Sequence, residues 1–414
     1  MKLRVKDFTT KVGSGVTPKG GAESYLSKGI PLFRSQNVVD NGFLLDDIAH
    51  ISEEVDESMK GSRVKAGDVL LNITGASIGR CYFTSADFER GNVNQHVCII
   101  RPKRNIISPE FLHYNIISNV GKEFIRQSQT GANREGLTIE DIKNFSFEIP
   151  SLSEQQRIVD YLDEKTKAID ARISVLEKKS DAYTRLKASV INRAVTRGLT
   201  PNVPLKDSGI EWIGMIPEHW EVKRFKDLFK DYTTGVTPPS KDDSFFDIEN
   251  GYTWVTIADL NNKMILESNL NLTQKAVDKY TPEITKKGSL MFSFKLSIGK
   301  LAFADKDLYT NEAIVSIPPQ KGICLDHAYY YLPLVLDKNA TENIYGAKML
   351  NQKIIANMLM AVPPYSEQQS IATYLDTKCS EIDKAIDNIG KQIDALKRLK
   401  RSLINEVVTG KRKI

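Results

Sequence analysis

A chain of 414 residues, 41% hydrophobic and 26% charged, with a mean hydropathy of -0.31, is expected to fold into two or three domains. Those values exclude a stapled mini-protein, a disordered chain and a fibre. No apolar run approaches the roughly 20 residues that span a bilayer. Cys81, Cys98, Cys324 and Cys379 form no CxxC pair, so a cytoplasmic location without a disulfide framework is expected. The formal charge of +5 permits a nucleic-acid partner without requiring one.

From the N-terminus, short β-branched and apolar runs bounded by Gly, Pro and Asn predict strands at Gly67–Thr74 and His96–Pro102, and Pro109–Ser128 predicts a helix. A long proline-free stretch follows. Leu162, Ile169, Leu176, Tyr183 and Val190 recur every seven residues, and Val159, Ile173 and Ala194 complete a 3-4 spaced coiled-coil seam. Residues 198–220 read as a Pro- and Gly-rich linker whose tryptophans, Trp212 and Trp220, anchor it to a domain. Further strands are expected at Gly288–Phe294 and Glu312–Pro318, with a helix at Asp326–Lys338. The heptad spacing then returns as Leu375, Ile382, Ile389, Leu396 and Leu403, filled in by Ala372, Ile386, Ile393 and Val407. Ser153 and Ser366 are placed as N-caps, and Gly198 and Gly410 as stops.

The two helical stretches are one repeat. SEQQRIVDYLDEKTKAID from Ser153 returns as SEQQSIATYLDTKCSEID from Ser366, an offset of 213 that runs without a gap from Ser153–Thr196 to Ser366–Thr409. Upstream, Lys6–Pro18 (KDF…GVTP) matches Lys226–Pro238 (KDL…GVTP), and Ile78-Gly79-Arg80 matches Ile298-Gly299-Lys300, more faintly and at an offset near 220. Such a long period means duplicated domains. At ~1.5 Å per residue each helix is a rod of roughly 65 Å. It cannot bury its seam alone, so the repeats are expected to pair antiparallel about a pseudo-two-fold axis. The expected fold is α+β: two pseudo-repeated, strand-rich recognition domains separated by two long antiparallel coiled-coil helices. The boundaries are 1–150, 151–199 (central helix), 200–362 (linker and second domain) and 363–414 (C-terminal helix).

Catalytic signatures are missing. There is no GxxxxGK[ST], HExxH or GxSxG, and His50, His96, His113, His219 and His327 are dispersed. No catalytic residue, metal ligand or cofactor is therefore assigned to this chain, and His96 is read as structural. Val362-Pro363-Pro364-Tyr365 lacks the asparagine of the amino-methyltransferase motif and reads as a turn before the second long helix.

The repeated IPSLSEQQRIVDYLD and VPPYSEQQSIATYLD, the DSGIEWIGMIPEHWEVKRFKDL linker, the G-V-T-P elements and the G-D-V-L-L strand resemble the specificity subunits of Type I restriction-modification enzymes. The first half departs from the second in starting at Met1 without a DSGIEWIGMIPEHW lead-in. The resemblance implies a non-catalytic subunit with two target recognition domains, each taking one half of a bipartite, asymmetric site in double-stranded DNA. The paired helices would set the half-site spacing and dock two modification (methyltransferase) subunits, which motor-nuclease restriction subunits join. S-adenosylmethionine would belong to the modification subunits, and ATP with magnesium to the motor subunits.

Base and phosphate contacts need Arg/Lys and Asn/Gln on loops. Candidate loops are Phe33–Asn37, Thr74–Arg80, Gly91–His96 and Thr130–Arg134 in the first domain. Those of the second are Thr253–Asn262, Lys295–Lys300, Thr310–Ala313 and Tyr345–Lys348. The candidate DNA-binding residues are Arg34, Gln36, Asn37, Arg80, Asn94, Arg134, Asn262, Lys295, Lys300 and Lys348. The alternatives are a single-chain nuclease or methyltransferase, and a coiled-coil adaptor that binds only protein.

Overall fold

A computed structural model describes residues 1–129, 136–295, 297–342 and 348–414. It divides into two units, Met1–Lys178 with Ile389–Ile414, and Lys179–Asn388. The division falls inside the two long helices, Leu152–Arg197 and Tyr365–Val408, so each unit holds a strand-rich domain and a piece of both helices.

In the first unit, an antiparallel sheet runs Thr9–Ser14, Val97–Pro102, Val69–Asn72, Cys81–Phe83. A second sheet runs Ala49–Ile51, Ile30–Phe33, Gly91–Val93, Arg63–Val64, with a parallel pairing at its centre. The second unit repeats this plan. Thr233–Thr234, Ile314–Ile317, Leu290–Ser293, Leu301–Ala304 and Met264–Ile265 form one sheet. Phe246–Asp247, Asn271–Leu272, Tyr252–Val255 and Tyr309–Thr310 form the other, again with one parallel pair. Strands that face a core on both sides are apolar throughout, as Val69-Leu70-Leu71 and Ile314-Val315 show.

The expected helix Pro109–Ser128 is two helices, Pro109–Ile117 and Asn119–Ser128. Ser118 breaks it by leaving helical geometry and accepting the Gly121 N–H on its side chain. The expected linker is partly ordered as a hairpin, Leu205–Asp207 with Met215–Pro217. Both tryptophans anchor it: Trp220 is buried in the core of its unit, with its indole N–H on Glu367, and Trp212 packs on that core.

In each unit the two helix segments pack antiparallel. In the first, Leu162 shares a buried cluster with Leu403, Ile404, Val407 and Val408, and Ile169 packs against it. Asp170 binds Lys400 at 2.6 Å, and Arg157 donates to the Ile414 carbonyl. In the second, Ala194 and Val195 cluster with Ile371, Leu375 and Cys379, Val190 packs beside them, and Lys187 binds Asp383 at 2.7 Å. Asp170 and Asp383 are 213 residues apart, as are Lys187 and Lys400, so one ion pair is made twice. Along the remaining seam Ile382 and Ile389 are buried, while Leu176, Tyr183 and Leu396 are half-buried.

The N-caps differ from expectation. Helix one starts at Leu152, where Ser151 accepts the Glu154 N–H, and helix two starts at Tyr365, where the Pro364 carbonyl accepts from Glu367 and Gln368. Ser153 and Ser366 thus lie inside the first turn. The proline before each helix sets its entry earlier than the SEQQ string suggests. Gly198 (φ 73°) and Gly410 (φ 70°) follow the helix ends in the left-handed region, as expected of stops.

The repeated glutamine fastens each domain to its helix. Gln155, fully buried, accepts the Ser108 N–H at 2.9 Å and donates to the Ile106 and Pro150 carbonyls. Gln368 accepts the Cys324 N–H at 2.9 Å and donates to the Pro363 carbonyl. About two turns on, Tyr114 donates to Asp163 at 2.6 Å and Tyr330 to Asp376 at 2.7 Å. Replacing Gln155 or Gln368 by Leu is expected to lower the unfolding free energy by about 1–3 kcal/mol, because buried N–H and C=O groups lose their partners. Gln156→Leu on the exposed face should stay within about 0.5 kcal/mol; urea denaturation of the three variants measures the difference.

Candidate nucleic-acid interface

Each domain gathers four loops where its two sheets exchange a strand. In the first unit Gly91–Val93 leaves one sheet, Asn94-Gln95-His96 turns, and Val97–Pro102 enters the other. Asn94 makes this turn: its N–H donates to the Phe33 carbonyl, and its side-chain oxygen accepts the His96 N–H at 3.1 Å. Asn311 does the same, donating to the Val255 carbonyl and accepting the Ala313 N–H at 3.2 Å.

The G-V-T-P element lies against this turn. A Cβ on Gly15 would stand 1.7 Å from the Val93 carbonyl oxygen, and one on Gly235 would stand 1.7 Å from that of Thr310. Only glycine fits either place. Two residues on, the Thr17 hydroxyl donates to the Gln95 side-chain oxygen, and the Thr237 hydroxyl to the Glu312 carboxylate. Gln95 also donates to His96 Nε2 at 2.9 Å, which leaves the imidazole proton on Nδ1, 2.6 Å from the Thr74 hydroxyl. A third loop is tied in by Ile73 N–H to the His96 carbonyl, matched by Phe294 N–H to that of Ala313. The fourth begins at Arg34, whose N–H caps on Asn37, as that of Thr256 does on Asp259.

The sequence-derived candidates separate into frame and surface. Arg34 donates to the Asp47 carbonyl at 2.7 Å and lies over the Tyr25 ring. Asn37 is buried and binds the Leu44 carbonyl, and Asn94 is spent on its turn. Gln36 is exposed and donates to Asp47 at 2.6 Å. Lys300 holds the Ile257 carbonyl and Asn261, and Lys348 pairs with Asp337. Arg80 and Asn262 are exposed, with no hydrogen bond or ion pair from their side chains to a described residue; Lys295 is exposed and lies over the Phe294 ring. Arg134, the loop Thr130–Arg134 and all of Tyr345–Lys348 except Lys348 lie outside the described residues. Gln95 and Glu312, both exposed, are functional candidates absent from the sequence-derived set. The signal for them was the alignment of Asn94-Gln95-His96 with Asn311-Glu312-Ala313.

Behind the loops, the titratable groups serve packing. Burial pushes His113 down to about 3 and His327 down to about 4, so both are neutral imidazoles. Burial raises the Tyr114 and Tyr330 hydroxyls, and the aspartate each one binds raises them further, keeping both protonated as donors. In the second unit Lys263 reaches Asp376 at 2.6 Å and lies over the Phe303, Tyr329 and Tyr330 rings. Burial disfavours its charge, but the Asp376 and Asp326 carboxylates outweigh that and raise its pKa.

The profile of the Type I restriction modification DNA specificity domain matches residues 1–178 and 217–398. The chain belongs to this family. It is 30% identical over 193 residues to the Type I restriction enzyme MjaIX specificity subunit of Methanocaldococcus jannaschii, covering 45% of this chain and 43% of that one. It is 30% identical over 175 residues to the EcoBI specificity subunit of Escherichia coli, covering 42% and 36%. The chain thus spans less than half the length of these two relatives. The MjaVIII specificity subunit of M. jannaschii matches more widely, at 22% identity over 89% of this chain and 84% of that one. The fold matches a chain from a structure of Type I R-M complex assembly and conformational transition, with a TM-score of 0.79 and 17% identity over 100% and 98% of the two chains. It also matches the HsdS subunit of Thermoanaerobacter tengcongensis, with a TM-score of 0.56 and 17% identity over 100% and 97%.

The split between frame and surface has a measurable consequence. Asn37→Ala removes a buried amide that binds two segments and is expected to cost about 1–3 kcal/mol of stability. Arg80→Ala should leave stability within about 0.5 kcal/mol. Thermal or urea unfolding of the pair checks this.

Proposed function

We propose that this chain is the DNA-recognition subunit of a Type I restriction-modification assembly. Each strand-rich domain takes one half of a bipartite, asymmetric double-stranded site. The helices set the spacing between half-sites and dock two modification (methyltransferase) subunits, which restriction subunits with motor and nuclease activity join. The chain itself is non-catalytic; S-adenosylmethionine is used by the modification subunits and ATP with magnesium by the motor subunits.

One observation carries this reading: the same four-loop frame is built twice, on the same helical repeat, with different exposed side chains at its tips. A scaffold for two different half-sites needs a fixed mount and variable contacts. Leu186 and Leu399, 213 residues apart, are both exposed on the helices, which supports two equivalent docking positions for two like subunits. Residues 151–200 and 363–414 each carry 10 basic and 7 acidic residues, so the helical repeats hold more than the whole net charge of the chain. The recognition domains are therefore close to neutral, and partner subunits are expected to supply much of the phosphate neutralisation.

The test is the chain purified with its modification subunits, allowed to methylate a random-sequence DNA library that is then sequenced. Two short fixed sequences separated by a constant unread gap are expected. Arg80→Ala and Lys295→Ala should weaken binding to all sequences alike, and each should reduce the salt dependence by about one phosphate contact. Methylation without a bipartite pattern would overturn the proposal.

A further inference from the structure

We propose that Gln95 and Glu312 are the side chains that distinguish bases in their respective half-sites, with Gln95 taking adenine and Glu312 taking cytosine. This deepens the DNA-recognition reading and rests on it. The two residues occupy one structural position. Each follows an asparagine whose side chain closes the same turn, and each is the only exposed residue of its three-residue crossover. A threonine of the G-V-T-P element holds each side-chain oxygen. The frame around them is conserved between the units down to individual hydrogen bonds, whereas the two side chains differ in the property that base edges report, the pattern of donors and acceptors.

The amide of Gln95 has four hydrogen-bonding places. Thr17 takes one lone pair and His96 one N–H, leaving one lone pair and one N–H open to an outside partner. That acceptor–donor couple complements N6 and N7 of adenine in the major groove. The carboxylate of Glu312 offers only acceptors. With Thr237 on one oxygen, the other can accept from the N4 amino group of cytosine, which has no acceptor to offer in return at that edge. At the equivalent of His96, the second unit has Ala313, so no imidazole binds there to orient an amide.

Both side chains are fixed before any ligand arrives, which lowers the ordering cost of binding. Exposed cations lie on the neighbouring loop in both units: Arg80, whose side chain makes no hydrogen bond or ion pair to a described residue, and Lys295, which lies over the Phe294 ring. That loop is bonded directly to the crossover through Ile73 and Phe294. Cations beside a base-reading group are what phosphate positioning requires. The buried asparagines Asn94 and Asn37 have no such freedom, because their amides hold the frame.

The experiment uses the full chain with its modification subunits and the random-library methylation assay. Gln95→Glu is expected to move the preference at a single position of one half-site from adenine to cytosine by roughly five- to a hundredfold. Glu312→Gln should do the reverse in the other half-site. In both cases the second half-site and the gap stay as in the wild type. Gln95→Ala should leave that position unread while its neighbours keep their preference. All three changes are on exposed tips and remove no backbone hydrogen bond; in Gln95→Glu the new carboxylate accepts from His96 once the imidazole proton moves to Nε2, with the Thr74 hydroxyl donating to Nδ1. Unchanged preference at every position, or a uniform loss over all sequences, would show that these residues do not read bases and would overturn the assignment. A wild-type complex without any bipartite pattern removes the DNA-recognition reading, and this assignment with it.

Discussion

The buried amide at the start of each long helix is the contact on which the rest depends. Gln155 and Gln368 are the third residues of the two SEQQ strings, and each spends its side chain on backbone groups that no helix or sheet satisfies. A buried amide without such partners costs several times what the bonds themselves contribute. The domain therefore cannot slide along the helix or rotate on it without exposing those losses. Tyr114 on Asp163 and Tyr330 on Asp376 fix a second point about two helical turns further on. Two fastened points define a direction, so each strand-rich domain has one orientation relative to the helix segment of its own unit.

The helix pairing has its own register device. A 3-4 apolar seam specifies which faces meet but tolerates slippage by a heptad, since leucines and isoleucines are interchangeable knobs. The Asp170–Lys400 and Asp383–Lys187 pairs are not interchangeable, because a shifted register would set each aspartate against a different neighbour. Surface ion pairs contribute little stability, about 0.2–1 kcal/mol, so their value lies in selecting one register. Internal duplication provides both copies at once: one Asp and one Lys per repeat give two pairs when the repeats run antiparallel.

The two long helices were legible from the heptad spacing, the duplication from the 213-residue offset, and four of the strands, Val69–Asn72, Val97–Pro102, Leu290–Ser293 and Ile314–Ile317, from apolar runs between Gly, Pro and Asn. The caps were misplaced by two residues because a proline pre-sets the backbone before Ser153 and Ser366, and Ser151, not the serine of SEQQ, accepts the orphan N–H. The candidate site was legible as a set of loops but not as a set of residues. Composition marks Arg34, Asn37 and Asn94 as suited to base contacts, yet the same hydrogen-bonding capacity makes them the groups that hold a loop together. Asn37 and Asn94 are buried for that reason, and Arg34 is turned onto Asp47. Periodicity carries no information about which of two adjacent polar residues turns inward.

Duplication resolves that ambiguity once the two units are compared. A residue whose hydrogen bonds recur in both copies belongs to the frame, as Asn94 and Asn311 do, together with Gly15 and Gly235. A residue that recurs in position but changes in chemistry, as Gln95 and Glu312 do, is held in both units by a threonine hydroxyl on a side-chain oxygen, a contact that an amide and a carboxylate satisfy equally. The separation is a physical one. The backbone groups at the crossover leave one acceptable solution, an asparagine that bridges its own turn and a glycine that admits the strand. The tip beyond them has no backbone partner to satisfy. An amide at the tip in one unit and a carboxylate in the other therefore leave the backbone bonding of the crossover the same, because the asparagine and the glycine that close it do not change.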